Sequence, residues 1–155
     1  MQKALLGLIA IAAVAVSAFA QTPTVQPDPP EVSPSPPGAA VYIIEPADGA
    51  TVTSPFTVKF GVKGMTIAPA GDDTPNSGHH HLLVDVDQMP DMRAPLPANE
   101  HMLHFGKGQT ETKLTLPPGK HTLQLVFANY LHIPHDPPVI SKKITVTVVA
   151  AGGAG

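Results

Sequence analysis

Between residues 41 and 149 the chain alternates apolar and polar side chains with a period of two. Successive side chains of a β-strand point to opposite faces, so this period predicts half-buried strands. The alternation covers the segments 41–44, 56–62, 82–86, 113–116, 121–127 and 144–148. No segment of this region shows the 3.6-residue period and capping residues of a helix. The sequence therefore predicts an all-β fold, an immunoglobulin-like β-sandwich of about six to eight strands.

Three further segments flank this predicted domain, 41–149. Residues 1–20 are typical of a signal peptide, with Lys3 ahead of an apolar run and Ala18-Phe19-Ala20 at the cleavage site. Seven of the twenty residues in 21–40 are prolines, which predicts a disordered linker because proline favours extended chain and little here can be buried. The small residues of 150–155 predict a flexible tail.

The leader predicts a protein that is periplasmic or secreted, without stable membrane insertion after signal cleavage. Its apolar run is shorter than the roughly 20 residues of a membrane span, and an uncleaved N-terminal anchor is the alternative. The chain contains no cysteine. Lipid attachment at cysteine, disulfides, thiolate metal sites and thiol nucleophiles are therefore excluded.

Charge and missing motifs exclude two classes of function. The chain has nine basic and twelve acidic residues, and removal of the leader with Lys3 leaves eight basic ones. No basic run could neutralise a phosphate backbone, so nucleic acid is not an expected partner. The sequence has neither a Gly-x-Ser-x-Gly elbow nor a His-Glu-x-x-His helix, and we expect no enzymatic activity.

The histidines are the feature that points to a function, because neutral imidazole is the commonest protein ligand for zinc and copper. His79 and His81 lie two positions apart on a predicted strand, so they face the same side and can bind one ion. Strand directions bring these two to one end of the sandwich with three others and leave His121 at the opposite end. The candidate metal ligands are His79, His81, His104, His132 and His135.

Neighbouring residues are given other roles. His80 shares the face of Leu82 and Val84, which predicts a half-buried imidazole hydrogen-bonded to the backbone. Asp136 is either a further ligand or the acceptor that fixes a histidine tautomer. Gly106 and Gly108 are interpreted as a turn entering the next strand. The soft donors that would suit Cu(I), although methionine more commonly fills a core, are Met65, Met89, Met92 and Met102.

Four stretches, in order along the chain, resemble a bacterial exported family named domain of unknown function 4399. They read GHHHLLVD at 78–85, HFGKGQTE at 104–111, LPPGKHTL at 116–123 and HIPHDPP at 132–138. The likeness covers about residues 78–148. Because the family name states no activity, the resemblance implies location and domain type but no reaction.

Two hypotheses follow for the function. In the first, an exported non-enzymatic domain binds copper or zinc through three or four of the five histidines, with an affinity that falls as the pH drops through about 6.5. In the alternative, the domain is a structural or interaction module of the cell envelope. Its histidines, with Gly106 and Gly108, would then form a hydrogen-bonded scaffold, and its partner would be an envelope protein or a cell-wall component.

Overall fold

The computed structural model describes residues 31–151, which form ten strands in two sheets and no helix. The strands are β1 (Ala40–Glu45), β2 (Thr51–Thr53), β3 (Phe56–Lys63), β4 (Thr66–Ile67), β5 (Ser77–Val84), β6 (Met102–His104), β7 (Glu111–Leu114), β8 (Gly119–Ala128), β9 (Pro134–Ile140) and β10 (Ile144–Val149). Within this range no helical segment is available to cross a membrane. The predicted signal peptide, the linker up to residue 30 and the tail beyond residue 151 lie outside the described residues.

The predicted all-β sandwich is confirmed. The smaller sheet has the order β1-β3-β7, and the larger has the order β2-β10-β8-β5-β4, with β6 paired to β5 and β9 paired to β8. Ten strands exceed the predicted six to eight because β2, β4 and β6 have only two or three residues, too few to show alternation. β9 contains three prolines, which lack the N–H of a regular ladder and therefore resemble a loop in sequence.

The main core lies between the two sheets. Val58 and Phe60 of β3 meet Leu125 and Phe127 of β8, and all four side chains are at most 1% exposed. Burying each such side chain contributes roughly 1.5–3 kcal/mol. The same alternation places every second residue of β5, from His80 to Val84, on this inner face.

A second, smaller cluster covers the outer face of the larger sheet. Leu83 of β5 and Val126 of β8 lie there, and Leu96 packs on them from the long connection between β5 and β6. His79 and His81 have the parity of Leu83, so they belong to this outer face. The fold thus places His79 and His81 on the outer face of β5 and His80 on its inner face.

The described end of the predicted linker lies along β9. Pro34 forms a parallel bridge with Asp136, whose N–H donates to Ser33 O at 3.0 Å and whose carbonyl accepts from Ser35 N at 3.1 Å. The Asn129 side chain adds hydrogen bonds to the Glu31 carbonyl and the Ser33 hydroxyl. One isolated bridge and these hydrogen bonds therefore attach residues 31–35 to β9 and the turn before it.

His121 lies at the opposite end of β8 from the candidate ligands, as the strand directions predict. Its Nδ1 donates to Asp85 Oδ2 at 2.7 Å and its Nε2 donates to Pro117 O at 2.8 Å. The Asp85 carboxylate, together with that carbonyl, raises the pKa of His121. Both ring nitrogens are engaged, so this histidine has a structural role in closing the turn before β8.

Candidate metal centre

Four histidines meet on the outer face of the larger sheet, at one end of its strands. His79 and His81 come from β5, and His104, the last residue of β6, lies directly opposite His81 in the antiparallel register. His79 is paired with Ala128 at the end of β8, and His132 lies in the turn that follows. These side chains come together because two strand ends and one turn coincide there.

Short distances join the ring nitrogens of this four-histidine group. Each residue offers one nitrogen, and the four nitrogens all lie within 4.8 Å of one another. His79 Nε2 is 3.1 Å from His132 Nδ1 and 3.1 Å from His104 Nε2. His79 Nε2 carries either one N–H or one lone pair. It can therefore form a hydrogen bond with only one of these two neighbouring nitrogens at a time. A metal ion among the nitrogens is a partner for all of them.

Burial keeps the inner members of the group uncharged. His79 and His81 are 0% and 1% exposed, whereas His104 is exposed and His132 half-buried. Burial, together with neighbouring imidazoles, lowers the pKa of His79 to about 3 and that of His81 to about 2, and it also lowers the pKa of His104. Neutral imidazole is the form that binds metal, so protons compete with an ion at lower pH than the 6.5 expected from the sequence.

One nitrogen of each of the two inner rings lacks a hydrogen-bond partner. Nδ1 of His79 and Nδ1 of His81 are buried and have no hydrogen-bond partner among residues 31–151. A ligating histidine usually donates this second N–H to an acceptor, which fixes its orientation. Here packing on β5 holds the rings instead.

His135 does not belong to the four-histidine group. It lies on β9 and is 2% exposed, with Nε2 3.1 Å from Ser77 O and Nδ1 3.3 Å from Phe127 O. Both ring nitrogens therefore face backbone carbonyls. Of the five candidate ligands, the structure brings together His79, His81, His104 and His132.

His80 differs from its prediction. It is fully buried, and neither ring nitrogen has a hydrogen-bond partner within the described range. Its ring lies edge-on to Phe60 and Phe127, at centroid distances of 4.8 and 5.1 Å, and burial lowers its pKa to about 4. The predicted backbone hydrogen bond is wrong because this position faces the middle of the core, where strand pairing already uses the backbone groups.

The remaining candidate donors lie outside the group. Met65, Met92 and Met102 pack against the apolar clusters, and Met89 is exposed. Asp136 is 4.0 Å from Arg93 on the surface. Among the histidine and carboxylate side chains of residues 31–151, the donor set is therefore four imidazole nitrogens without a carboxylate.

Gly106 has a role that its interpretation as a turn residue does not reveal. A Cβ at this position would overlap Cε1 of His104 and lie 2.5 Å from Nε2, the nitrogen that joins the group. Its φ is not in the left-handed region, so space and not backbone freedom requires glycine here. The sequence shows the Gly-x-Gly motif but not the ring that packs over it.

Comparisons with known proteins place the chain in a family. The model of the family described as Domain of unknown function (DUF4399) matches residues 58–149, more than half of the chain, and confirms the resemblance drawn from the four motifs. No curated protein sequence matches. The X-ray structure of the endo-beta-1,4-mannanase from Thermotoga petrophila is similar with 20% identity and a TM-score of 0.43, over 73% of this chain and 20% of that chain. The present chain thus spans about a fifth of that protein, and so weak a likeness carries no inference.

Proposed function

This chain belongs to the family called Domain of unknown function (DUF4399), whose name states no activity, and for it we propose the binding of one transition-metal ion, zinc or copper. The ligands are the four-histidine group. The observation that supports this most directly is the double contact of His79 Nε2, which lies 3.1 Å from two other ring nitrogens. A cation bound between these nitrogens would satisfy all of them, because each nitrogen would then direct its lone pair at the ion.

The proposed role is binding and not catalysis. Four protein nitrogens fill the coordination of a four-coordinate ion, as in structural zinc sites, whereas catalytic zinc sites keep one position for water or substrate. The signal-like leader in residues 1–20 supports a periplasmic or secreted protein. The domain would therefore hold its ion outside the cytoplasm.

The alternative is a hydrogen-bonded scaffold in a module of the cell envelope. The 3.1 Å contacts favour it, because neutral imidazoles can donate to one another. Two observations count against it: Nδ1 of His79 and Nδ1 of His81 are both buried without a hydrogen-bond partner among residues 31–151. Each unsatisfied buried group costs about 1–3 kcal/mol, so a network of this kind stabilises poorly.

Metal analysis of the full chain, prepared without a histidine tag, tests the proposal. After equilibration with Zn²⁺ or Cu²⁺ and removal of free ion, we expect about one equivalent per chain, because one ion serves all four nitrogens. The double variant His79→Ala/His81→Ala should lose it. The double variant His101→Ala/His121→Ala has the same histidine count and should keep it, since neither residue belongs to the group. Absence of stoichiometric binding by the unaltered chain would leave the scaffold as the explanation.

Gly106→Ala is expected to weaken metal binding by roughly 10- to 100-fold, as loss of the residues that orient a ligand does. The new methyl group would displace the ligand nitrogen of His104, whose exposed ring can swing outward at little cost to folding. Affinity would be measured by competition with a chromophoric chelator, and stability by urea unfolding.

Gly61→Ala is the matched control for this substitution. Its Cβ would also collide with the far end of an exposed ring, that of Tyr42, but on the smaller sheet. This variant should bind metal as the unaltered chain does. Equal losses of affinity in the two variants would contradict the role given to Gly106.

A further inference from the structure

The four imidazole rings of the group are nearly equidistant. The six separations between ring centroids run from 4.5 Å for His104–His132 to 6.0 Å for His81–His132, and the other four lie between 4.9 and 5.1 Å. Four points with nearly equal separations occupy the corners of a tetrahedron. With Zn–N bonds of about 2.0–2.1 Å, imidazole centroids in a tetrahedral site lie about 5.2 Å from one another. All six separations lie within about 0.8 Å of this value, so the rings surround a centre of the right size, and the ring nitrogens, which lie within 4.8 Å of one another, would draw closer on binding.

A square arrangement does not fit the same distances. Its two diagonals join opposite pairs of ligands, and both would be about 6.4 Å for imidazoles around one ion. If the longest separation, His81–His132 at 6.0 Å, is one diagonal, the other must be His79–His104, which is only 4.9 Å. Because only one of the two would-be diagonals is long, the four ring centroids form a distorted tetrahedron and not a square.

The backbone holds this arrangement in place. His81 and His104 face each other across the β5–β6 ladder, and β8 pairs with the other edge of β5. His132 has a φ of 65°, its N–H donates to Asn129 O at 2.9 Å, and its carbonyl accepts from Leu96 N at 2.8 Å. Flattening the group would require one strand to slide along another or this turn to open.

Resting on the proposed function, we infer that the four-histidine group is a tetrahedral Zn²⁺ site that binds Cu²⁺ only with fewer of its nitrogens. Zn²⁺ has no geometric preference from its d electrons and accepts a tetrahedron, whereas Cu²⁺ favours square or tetragonal surroundings. The group contains no thiolate or thioether, the soft donors that select Cu(I). Zinc is the ion that fits both the geometry and the donor chemistry.

Spectroscopy of the full chain loaded with Co²⁺ or Cu²⁺ tests the inference. Co²⁺, which adopts the geometry that its ligands impose, should give the intense visible bands of a tetrahedral complex, and one equivalent of Zn²⁺ should abolish them. The double variant His79→Ala/His81→Ala should lose the bands, while His101→Ala, outside the group, should keep them. The Cu²⁺ form should not show the tetragonal resonance of four equatorial nitrogens.

The outcomes separate this inference from the proposed function. A Co²⁺ complex with weak bands, or a Cu²⁺ form with four equatorial nitrogens from the group, would overturn the tetrahedral zinc site and leave metal binding in place. Failure of Zn²⁺, Cu²⁺ and Co²⁺ alike to bind would overturn the proposed function itself.

Discussion

The metal-free domain is expected to unfold in mild acid, because its stability depends on three buried neutral histidines in a row. Burial lowers the pKa of His79 to about 3, of His80 to about 4 and of His81 to about 2 in the folded protein. In the unfolded chain the same groups titrate near 6.5. Below pH 6.5 the unfolded chain therefore binds protons that the folded chain does not, and stability falls as the pH falls.

The size of the effect makes it easy to measure. Each histidine removes about 1.4 kcal/mol per pH unit below 6.5, so the three together remove about 6 kcal/mol by pH 5. A whole domain is stable by only about 5–15 kcal/mol. The raised pKa of His121 does not alter this slope, because below pH 6.5 that group is protonated in both states. We expect acid unfolding between about pH 5 and pH 4.

Urea unfolding at pH 7, 6 and 5 with a chelator present, followed by circular dichroism, would measure the slope. The control is the same series with saturating Zn²⁺. Bound ion keeps the ligand histidines unprotonated and adds about 4 kcal/mol when its free concentration is 1,000 times the Kd. A urea midpoint that stays constant from pH 7 to pH 5 without metal would contradict the burial of neutral imidazoles on β5.

The sequence predicts the strands where alternation is long, and it predicts the meeting of the candidate ligands where strand direction alone decides their position. β3, β8 and β10 were readable for that reason, and so was the meeting of His79, His81, His104 and His132. What the sequence could not show is a distance between strands. The tetrahedral spacing depends on the register between β5 and β6 and on the turn at His132, and neither is visible as a spacing along the chain.

Two histidines show why the remaining assignments failed or changed. The prolines around His135 predict a loop, but the residue lies on β9, where pairing with β8 places its ring against the carbonyls of Ser77 and Phe127. His80 was correctly placed on the inner face, yet polarity suggested a hydrogen bond that the apolar surroundings do not offer. The sequence pattern predicts which face of a strand a side chain lies on, but only the packing of the fold determines which groups surround it.

Replacing the buried His80 should make the protein more stable. His80→Leu removes two ring nitrogens that are unpartnered among residues 31–151, and it places an apolar side chain between Phe60 and Phe127. An unsatisfied buried group costs about 1–3 kcal/mol, while a swap of similar volume usually costs less than about 1.5 kcal/mol. We expect a net gain of about 1–2 kcal/mol at pH 7, measured by urea unfolding.

The gain should grow in acid, because the variant loses one of the three histidines that destabilise the folded state there. At pH 5 the removed titration adds about 2 kcal/mol, and the pH slope falls by about a third. His135→Leu is the matched control: it is the same substitution at a buried position, but it removes the one N–H that a neutral His135 can donate to the carbonyl of Ser77 or of Phe127, and it should destabilise by about 1–3 kcal/mol. If His80→Leu raises the free energy of unfolding and His135→Leu lowers it, the native His80 destabilises the fold. Equal losses of stability in the two variants would show that the ring nitrogens of His80 have hydrogen-bond partners.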